Sequence, residues 1–254
     1  EIYMGDWSSD VCSSDLLRVA VILIWGSSQP PDVTDHEVYH KNAVILLQGW
    51  EQWIRPGSEF GYRAPLFFAY IAGAQALTGS DSFIVSQLAS ALVGTAACIL
   101  AFVVANALAG ERAGHVAFWL RGLLPNYVIS DTYVMSEQMF GLVLLSLLAV
   151  VALGSSKPQI RHAVALGVLL GIAMLVREAG LVYPAIFLAY LALTDGSTKE
   201  RVSRVLICSA AIAVVLSPWL VRNHYVWGHA LPIGYTAGPA IWRSEERRVG
   251  KECR

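Results

Sequence analysis

The chain has 254 residues, 56% hydrophobic and only 15% charged, with a formal net charge of −1. Its mean hydropathy is positive, +0.53. That balance excludes a soluble domain and a basic nucleic-acid-binding module, and it defines a membrane protein.

The two ends read differently from what lies between them. Residues 6–16 read DWSSDVCSSDL and residues 243–254 read RSEERRVGKECR. Both back-translate without strain onto the partner adapters of a widely used short-read sequencing chemistry. Segments 1–16 and 243–254 are therefore expected to be adapter-derived, the plainer alternative being a polar head and a charged tail. The expected native part is 17–242, an internal fragment of a longer membrane domain with its first span truncated. It retains 13 basic and 12 acidic side chains and the cysteines Cys98 and Cys208, both in apolar segments. No disulfide framework or metal spacing remains.

In chain order, the run LLRVAVILIW at 16–25 is too short to cross a bilayer, which takes about 20 apolar residues. It reads as the outer end of a first spanning helix, or alternatively as part of a signal peptide. Residues 26–63 form a polar loop rich in Pro, Trp and Gly. Within it, Val38, Ala43, Val44, Leu46 and Leu47 fall at helical spacing, which predicts a short helix over 37–50 lying on the membrane. Residues 64–78 are apolar but number only about 15, short of the roughly 20 a span needs, so they predict an interfacial or dipping helix starting at Pro65. Spans are expected at 83–109, 113–130, 135–153, 162–176, 179–194 and 203–221. Short connectors favour antiparallel neighbours, so the expected fold is an all-α polytopic transmembrane bundle with juxtamembrane helices in its first outer loop.

Basic residues in the short connectors set the orientation. Arg112, then Lys157 and Arg161, then Lys199, Arg201 and Arg204 fall on alternate connectors, hence on one side, the cytoplasm. The 26–63 loop, 130–137, 177–178 and everything after Trp219 fall on the other. The expected location is a bacterial inner membrane, with this second face towards the periplasm.

Four charged residues then gather at that outer face: Asp35, Arg63, Glu137 and Arg177. A charge at membrane level costs about 2.5–3.5 kcal/mol on insertion scales, so each is a candidate for function. Arginine presents a planar fork of donors suited to phosphate oxygens. Each residue also has a plainer reading: solvation for Asp35, snorkelling for Arg63, and a helix N-terminal charge for Glu137. Arg177, between two short spans, is the hardest to explain away. Asp35, His36 and Glu37 together hint at a metal site, on weak spacing. Arg121, in mid-span, is an intramembrane charge without an assigned role. There is no P-loop, dinucleotide glycine pattern or zinc spacing.

At these residues the chain resembles the GT-C superfamily of polytopic glycosyltransferases, and within it protein O-mannosyltransferases, lipid A aminoarabinose transferases and rhizobial lipopolysaccharide glycosyltransferases. DHEVY resembles the family's Asp-x-x-x-Tyr after the first helix, and YRAPLFFAYIAGAQALTG its Arg-Pro-Pro-Leu juxtamembrane segment. VMSEQMF resembles the Ser-Glu motif, LVREAG the Thr-Arg-Pro-Glu-Ala-like turn, and LSPWLVRNHYVWGHALPI the Leu-Pro-Trp-x-x-Arg-Asn exit. Ala64 and Glu178 depart from prolines of the pattern.

The resemblance implies an inverting transfer of a sugar from a polyprenyl-phosphate-linked donor to a lipid or protein acceptor. It implies Asp35 as general base, and Arg63, Arg177, Glu137, Tyr39 and Glu37 as substrate-binding residues. A divalent cation, Mg or Mn, is a possible cofactor, and membrane lipids are the surrounding partner. Two other readings share the greasy bundle and its charges. A secondary transporter or lipid flippase would show inverted repeats and interrupted helices near the midplane. An oligosaccharide ligase or a non-catalytic membrane subunit would use the same phosphate-binding arginines.

Overall fold

The computed structural model describes residues 16–24, 35–55, 63–154 and 158–231. The expected adapter segments lie outside these residues, apart from Leu16. So do Lys157, the whole connector 26–34 and residues 56–62 of the expected loop. Every regular element among the described residues is helical.

The elements are α1 (16–24), α2 (Asp35–Gln48), α3 (Glu51–Ile54), α4 (Leu66–Thr78) and α5 (Phe83–Ala109). After them come α6 (Glu111–Leu123), α7 (Pro125–Thr132), α8 (Ser136–Ala152) and α9 (Ile160–Val176). A 3₁₀ turn, Glu178–Val182, leads into α10 (Tyr183–Leu193), and α11 (Thr198–Trp227) ends the described chain. Two helices, α5 and α11, are long and apolar enough to cross a membrane, or three spans result if the bent pair α7–α8 is taken as one.

The expected span 113–130 is not one straight helix. Pro125 has no N–H to continue the α6 ladder, and the chain turns extended at Leu124 before restarting with Pro125 in the first turn of α7. A second corner at 133–135 bends α7 against α8 by 116°. The expected spans 162–176 and 179–194 are shorter apolar helices, α9 and the 3₁₀–α10 unit, parted by extended backbone at Arg177.

The longitudinal helices are bound by small residues as much as by large ones. Gly167 and Gly171 form a G-x-x-x-G stripe on α9. A Cβ at Gly167 would meet the Cys208 carbonyl oxygen at 2.4 Å, and one at Gly171 would meet the Val215 Cβ at 2.7 Å. Only glycine lets α9 and α11 approach this closely, the usual device where lipid provides no hydrophobic drive for helix association. Leu147, Leu166, Leu170 and Leu191 are fully buried around that seam.

A second core lies at one end of the bundle, where α2 and α4 pack across the start of α5. Tyr39, Ala43, Phe67, Phe68, Ile71, Phe83 and Val134 form it. In α2 the inward residues are Tyr39 and Ala43, with Leu46 packed against the core, a tilted version of the expected face; Val38 and Leu47 point outward. At 13 residues α4 is about 20 Å long, too short for a bilayer core of about 30 Å, as its sequence led one to expect.

Arg222 of α11 ties α3 to this end. Its Nη2 donates to the Trp53 carbonyl oxygen at 2.6 Å and its Nε to the same oxygen at 3.1 Å. The guanidinium lies among the rings of Trp53, Trp219 and Trp227, at 5.3, 5.0 and 4.5 Å from their centroids. Asn223 Nδ2 donates to the Leu231 carbonyl oxygen at 2.7 Å. The Trp-x-x-Arg-Asn stretch thus ties α3 and the segment that follows Trp227 to the end of α11.

Candidate active site

The four singled-out charges converge as two ion pairs. Asp35 opens α2, where a carboxylate complements the helix N-terminus, and its Oδ1 lies 2.5 Å from Arg63 Nη2. Glu137 opens α8, and its Oε1 lies 2.5 Å from Arg177 Nη1. Arg63 precedes Pro65, which starts α4, and Arg177 sits on the extended break after α9. Each arginine is thus held on non-helical backbone beside a helix end, its fork turned to the same side.

Between the pairs is a cleft of about 210 Å³ lined by Tyr39, Arg63, Ala64, Ser136, Val176, Arg177, Glu178 and Ala179. Small-molecule pockets run roughly 300–1,000 Å³, so this space suits one phosphate-sized group with the remainder of a ligand outside it. Tyr39 Oη and Ser136 Oγ share a hydrogen bond of 2.9 Å, and Arg177 Nη1 donates to Ser136 Oγ at 3.5 Å. The Arg63 guanidinium lies 5.6 Å from the Tyr39 ring centroid. Burial raises the Tyr39 phenol above its ordinary pKa, opposed by the Ser136 hydrogen bond and by the Arg63 charge. The phenol therefore stays protonated at neutral pH and keeps a hydroxyl that can donate or accept.

All four pair members are between 36% and 44% exposed. Glu137 Oε2 is buried without a hydrogen-bond partner. Of the remaining expected site residues, Tyr39 lines the cleft directly, whereas Glu37 pairs along its own helix with Lys41. Ser136 was not distinguished from its motif neighbours by the sequence, yet it is the hydroxyl that Tyr39 and Arg177 share. Among the described residues no group of three or more His, Cys, Asp or Glu side chains gathers as a metal-ligand set.

The basic connector residues Arg112, Arg161, Lys199, Arg201 and Arg204 lie in the first two turns of α6, α9 and α11.

An all-helical apolar bundle with short helices packed over a cleft that two arginines line has the fold of the GT-C superfamily. The crystal structure of the Archaeoglobus fulgidus oligosaccharyltransferase in the apo form matches with a TM-score of 0.66 and 14% identity, over 87% of this chain and 30% of that one. The chain thus spans under a third of the solved protein it resembles, and the likeness is one of fold. The chain belongs to the dolichyl-phosphate-mannose-protein mannosyltransferase family, whose sequence profile matches residues 62–221. That match includes Arg63, Glu137 and Arg177 and begins after Asp35. No curated protein sequence matches the chain.

Proposed function

We propose that the full-length parent of this chain transfers a sugar from a polyprenyl-phosphate-linked donor to a hydroxyl of a lipid or protein acceptor, with inversion at the sugar. The observation that carries this reading is that Arg63 and Arg177 both line one phosphate-sized cleft, each in a half-exposed ion pair with a carboxylate, Asp35 or Glu137, that stands behind the lining. Ion pairs exposed to this degree are worth about 0–1 kcal/mol. Either arginine therefore exchanges its carboxylate for a lipid phosphate at little cost, and the exchange frees the carboxylate.

In the proposed reaction Asp35, released from Arg63, accepts the proton of the acceptor hydroxyl as its oxygen attacks the anomeric carbon. The bond from that carbon to the phosphate oxygen breaks, and its electron pair leaves on the polyprenyl phosphate. Arg63 and Arg177 stabilise the charge that develops there, a role in which fixed donors are worth most. Glu137 orients the acceptor, and the Tyr39 phenol and Ser136 hydroxyl offer further hydrogen bonds; Glu37 lies further out, on the acceptor side. The cleft end faces the periplasm of an inner membrane, with the basic connectors in the cytoplasm. We further propose that 17–242 is the native part of the chain.

The test is Asp35→Asn in the full-length protein, assayed in membrane vesicles with polyprenyl-monophosphate-linked sugars. Transfer is expected to fall by about 10²–10⁴-fold, the usual contribution of positioned proton transfer. Wild-type rates for this variant would remove the base assignment. Consumption of a diphosphate-linked oligosaccharide in place of the monophosphate donor would make the protein a ligase.

A further inference from the structure

Deeper in the bundle lies a charged cluster that the cleft does not use. Asp131, at the end of α7, is fully buried, and so is Arg18 of α1. Arg18 donates to Asp131 Oδ2 from Nε at 3.0 Å and from Nη2 at 2.9 Å. Arg121 of α6 donates from Nη1 to Oδ2 at 2.8 Å and from Nη2 to Oδ1 at 2.7 Å. One carboxylate thus takes four N–H donors from two helices. Arg18 Nη2 also reaches Cys98 Sγ at 3.2 Å, and the Arg121 guanidinium covers the Tyr127 ring at 4.3 Å. Space for the carboxylate comes from Gly94 of α5, where an added Cβ would meet Asp131 Cγ at 2.3 Å. Four helices, α1, α5, α6 and α7, therefore meet at Asp131.

The cluster gains its consequence from the chain just beyond Asp131. The corner at 133–135 leads directly to Ser136 and Glu137. It is pinned on several sides: Gln87 Nε2 donates to the Thr132 carbonyl oxygen at 3.3 Å, and Gln138 Nε2 donates to Ser130 Oγ at 2.8 Å. The corner also touches α2 on both sides of its first turn. Tyr133 packs edge-on against His36, ring centroids 4.9 Å apart, and Ser136 holds Tyr39. A shift of this corner therefore moves Glu137 and the first turn carrying Asp35 relative to one another.

We propose that Asp131 is a positioning residue: clamped by Arg18 and Arg121, it fixes the α7–α8 corner and with it the separation of the Asp35–Arg63 and Glu137–Arg177 pairs. The geometric part stands by itself, and its link to turnover rests on the transferase reading. An isolated carboxylate in apolar surroundings is costly, whereas one held by four donors, two from the bidentate Arg121 and two from Arg18 on Oδ2 alone, is fixed in one place. The clamp thus converts burial into precision at a cleft it does not line.

The test uses the full-length protein in nanodiscs with nitroxide labels at positions 41 and 148, one on α2 and one on α8. Asp131→Asn keeps the shape of the side chain but removes the charge and one acceptor oxygen. It is expected to replace a single narrow label-to-label distance with a broadened, shifted distribution, and to lower kcat with KM for the monophosphate donor little changed. Arg18→Lys, which keeps the charge but loses the paired donors, is expected to do the same to a smaller extent. It provides the reading if Asp131→Asn cannot be recovered folded. An unchanged distance distribution in the folded variants, with or without a lower melting temperature, overturns the proposal and leaves a merely stabilising cluster. Asp35→Asn is measured alongside. If that variant keeps wild-type transfer the transferase mechanism fails, while the distance measurement still decides the clamp.

Discussion

The cleft and the buried cluster are built from the same two residue types, and their surroundings give them opposite characters. At the cleft each carboxylate meets one arginine, and all four side chains are more than a third exposed. In the cluster one carboxylate meets two arginines, at 0% exposure for Asp131 and Arg18 and 13% for Arg121. Water competes for the first set, so those contacts are weak and exchangeable. It is excluded from the second, where losing a partner strands a charge. Identical chemistry therefore gives a site that can change partners above a joint that cannot.

The sharpest way to break this contrast is to truncate one carboxylate in each region. Asp131→Ala leaves two guanidinium groups without their counter-charge inside the bundle and is expected to cost about 3–5 kcal/mol of stability. Glu137→Ala is expected to cost less than about 1 kcal/mol, since its pair is half in water. Thermal unfolding of the two variants in the same detergent checks the difference, and equal losses would remove the distinction.

His40 is an intermediate case. Its Nδ1 lies 3.0 Å from Ser86 Oγ and 3.3 Å from Gln75 Nε2, and its ring packs edge-on against Phe83. Burial lowers its pKa below the ordinary value, partly offset by the charge of Asp81. With the folded pKa below the unfolded one, the unfolded chain binds more protons between the two values, and stability rises with pH there. Stability is therefore present above the unfolded value of about 6.5 and is lost as pH falls below it towards the folded pKa. Melting temperature followed downwards from neutral pH is expected to drop in the wild type, and to drop less in His40→Gln.

The smallest effect belongs to the surface of α2. Lys41 is 65% exposed and pairs with Glu37 one turn away. Lys41→Ala is expected to cost about 0.3–0.5 kcal/mol, the value of an i,i+4 pair, with transfer unaffected. A large loss of transfer would mean that Lys41 itself, and not Glu37 alone, acts on the substrate.

The outline of this protein was legible in its residues because membrane folding obeys a few strong local rules. Apolar run length placed α5 and α11, the length deficit of 64–78 marked α4 as unable to span, and the connector at Arg177 was visible as a charge between apolar runs; the break at Pro125 was passed over in the expected span 113–130. Alternating basic connectors fixed which ends belong together, and that count alone brought Asp35, Arg63, Glu137 and Arg177 to one end. Their pairing, Asp35 with Arg63 and Glu137 with Arg177, was not legible, because it depends on how α2 and α4 lie across the bundle. Nor was the shared role of Ser136. The largest omission was Asp131: Arg121 stood out as an intramembrane charge, but the carboxylate ten residues on read as part of a polar loop. Opposite charges on neighbouring apolar elements were the available signal, and Arg18, over a hundred residues away, had none. Hydropathy along a chain is a local quantity and so determines depth. Which charges share one buried volume is decided by helix packing, through glycines such as Gly94 that only the folded bundle shows to be necessary.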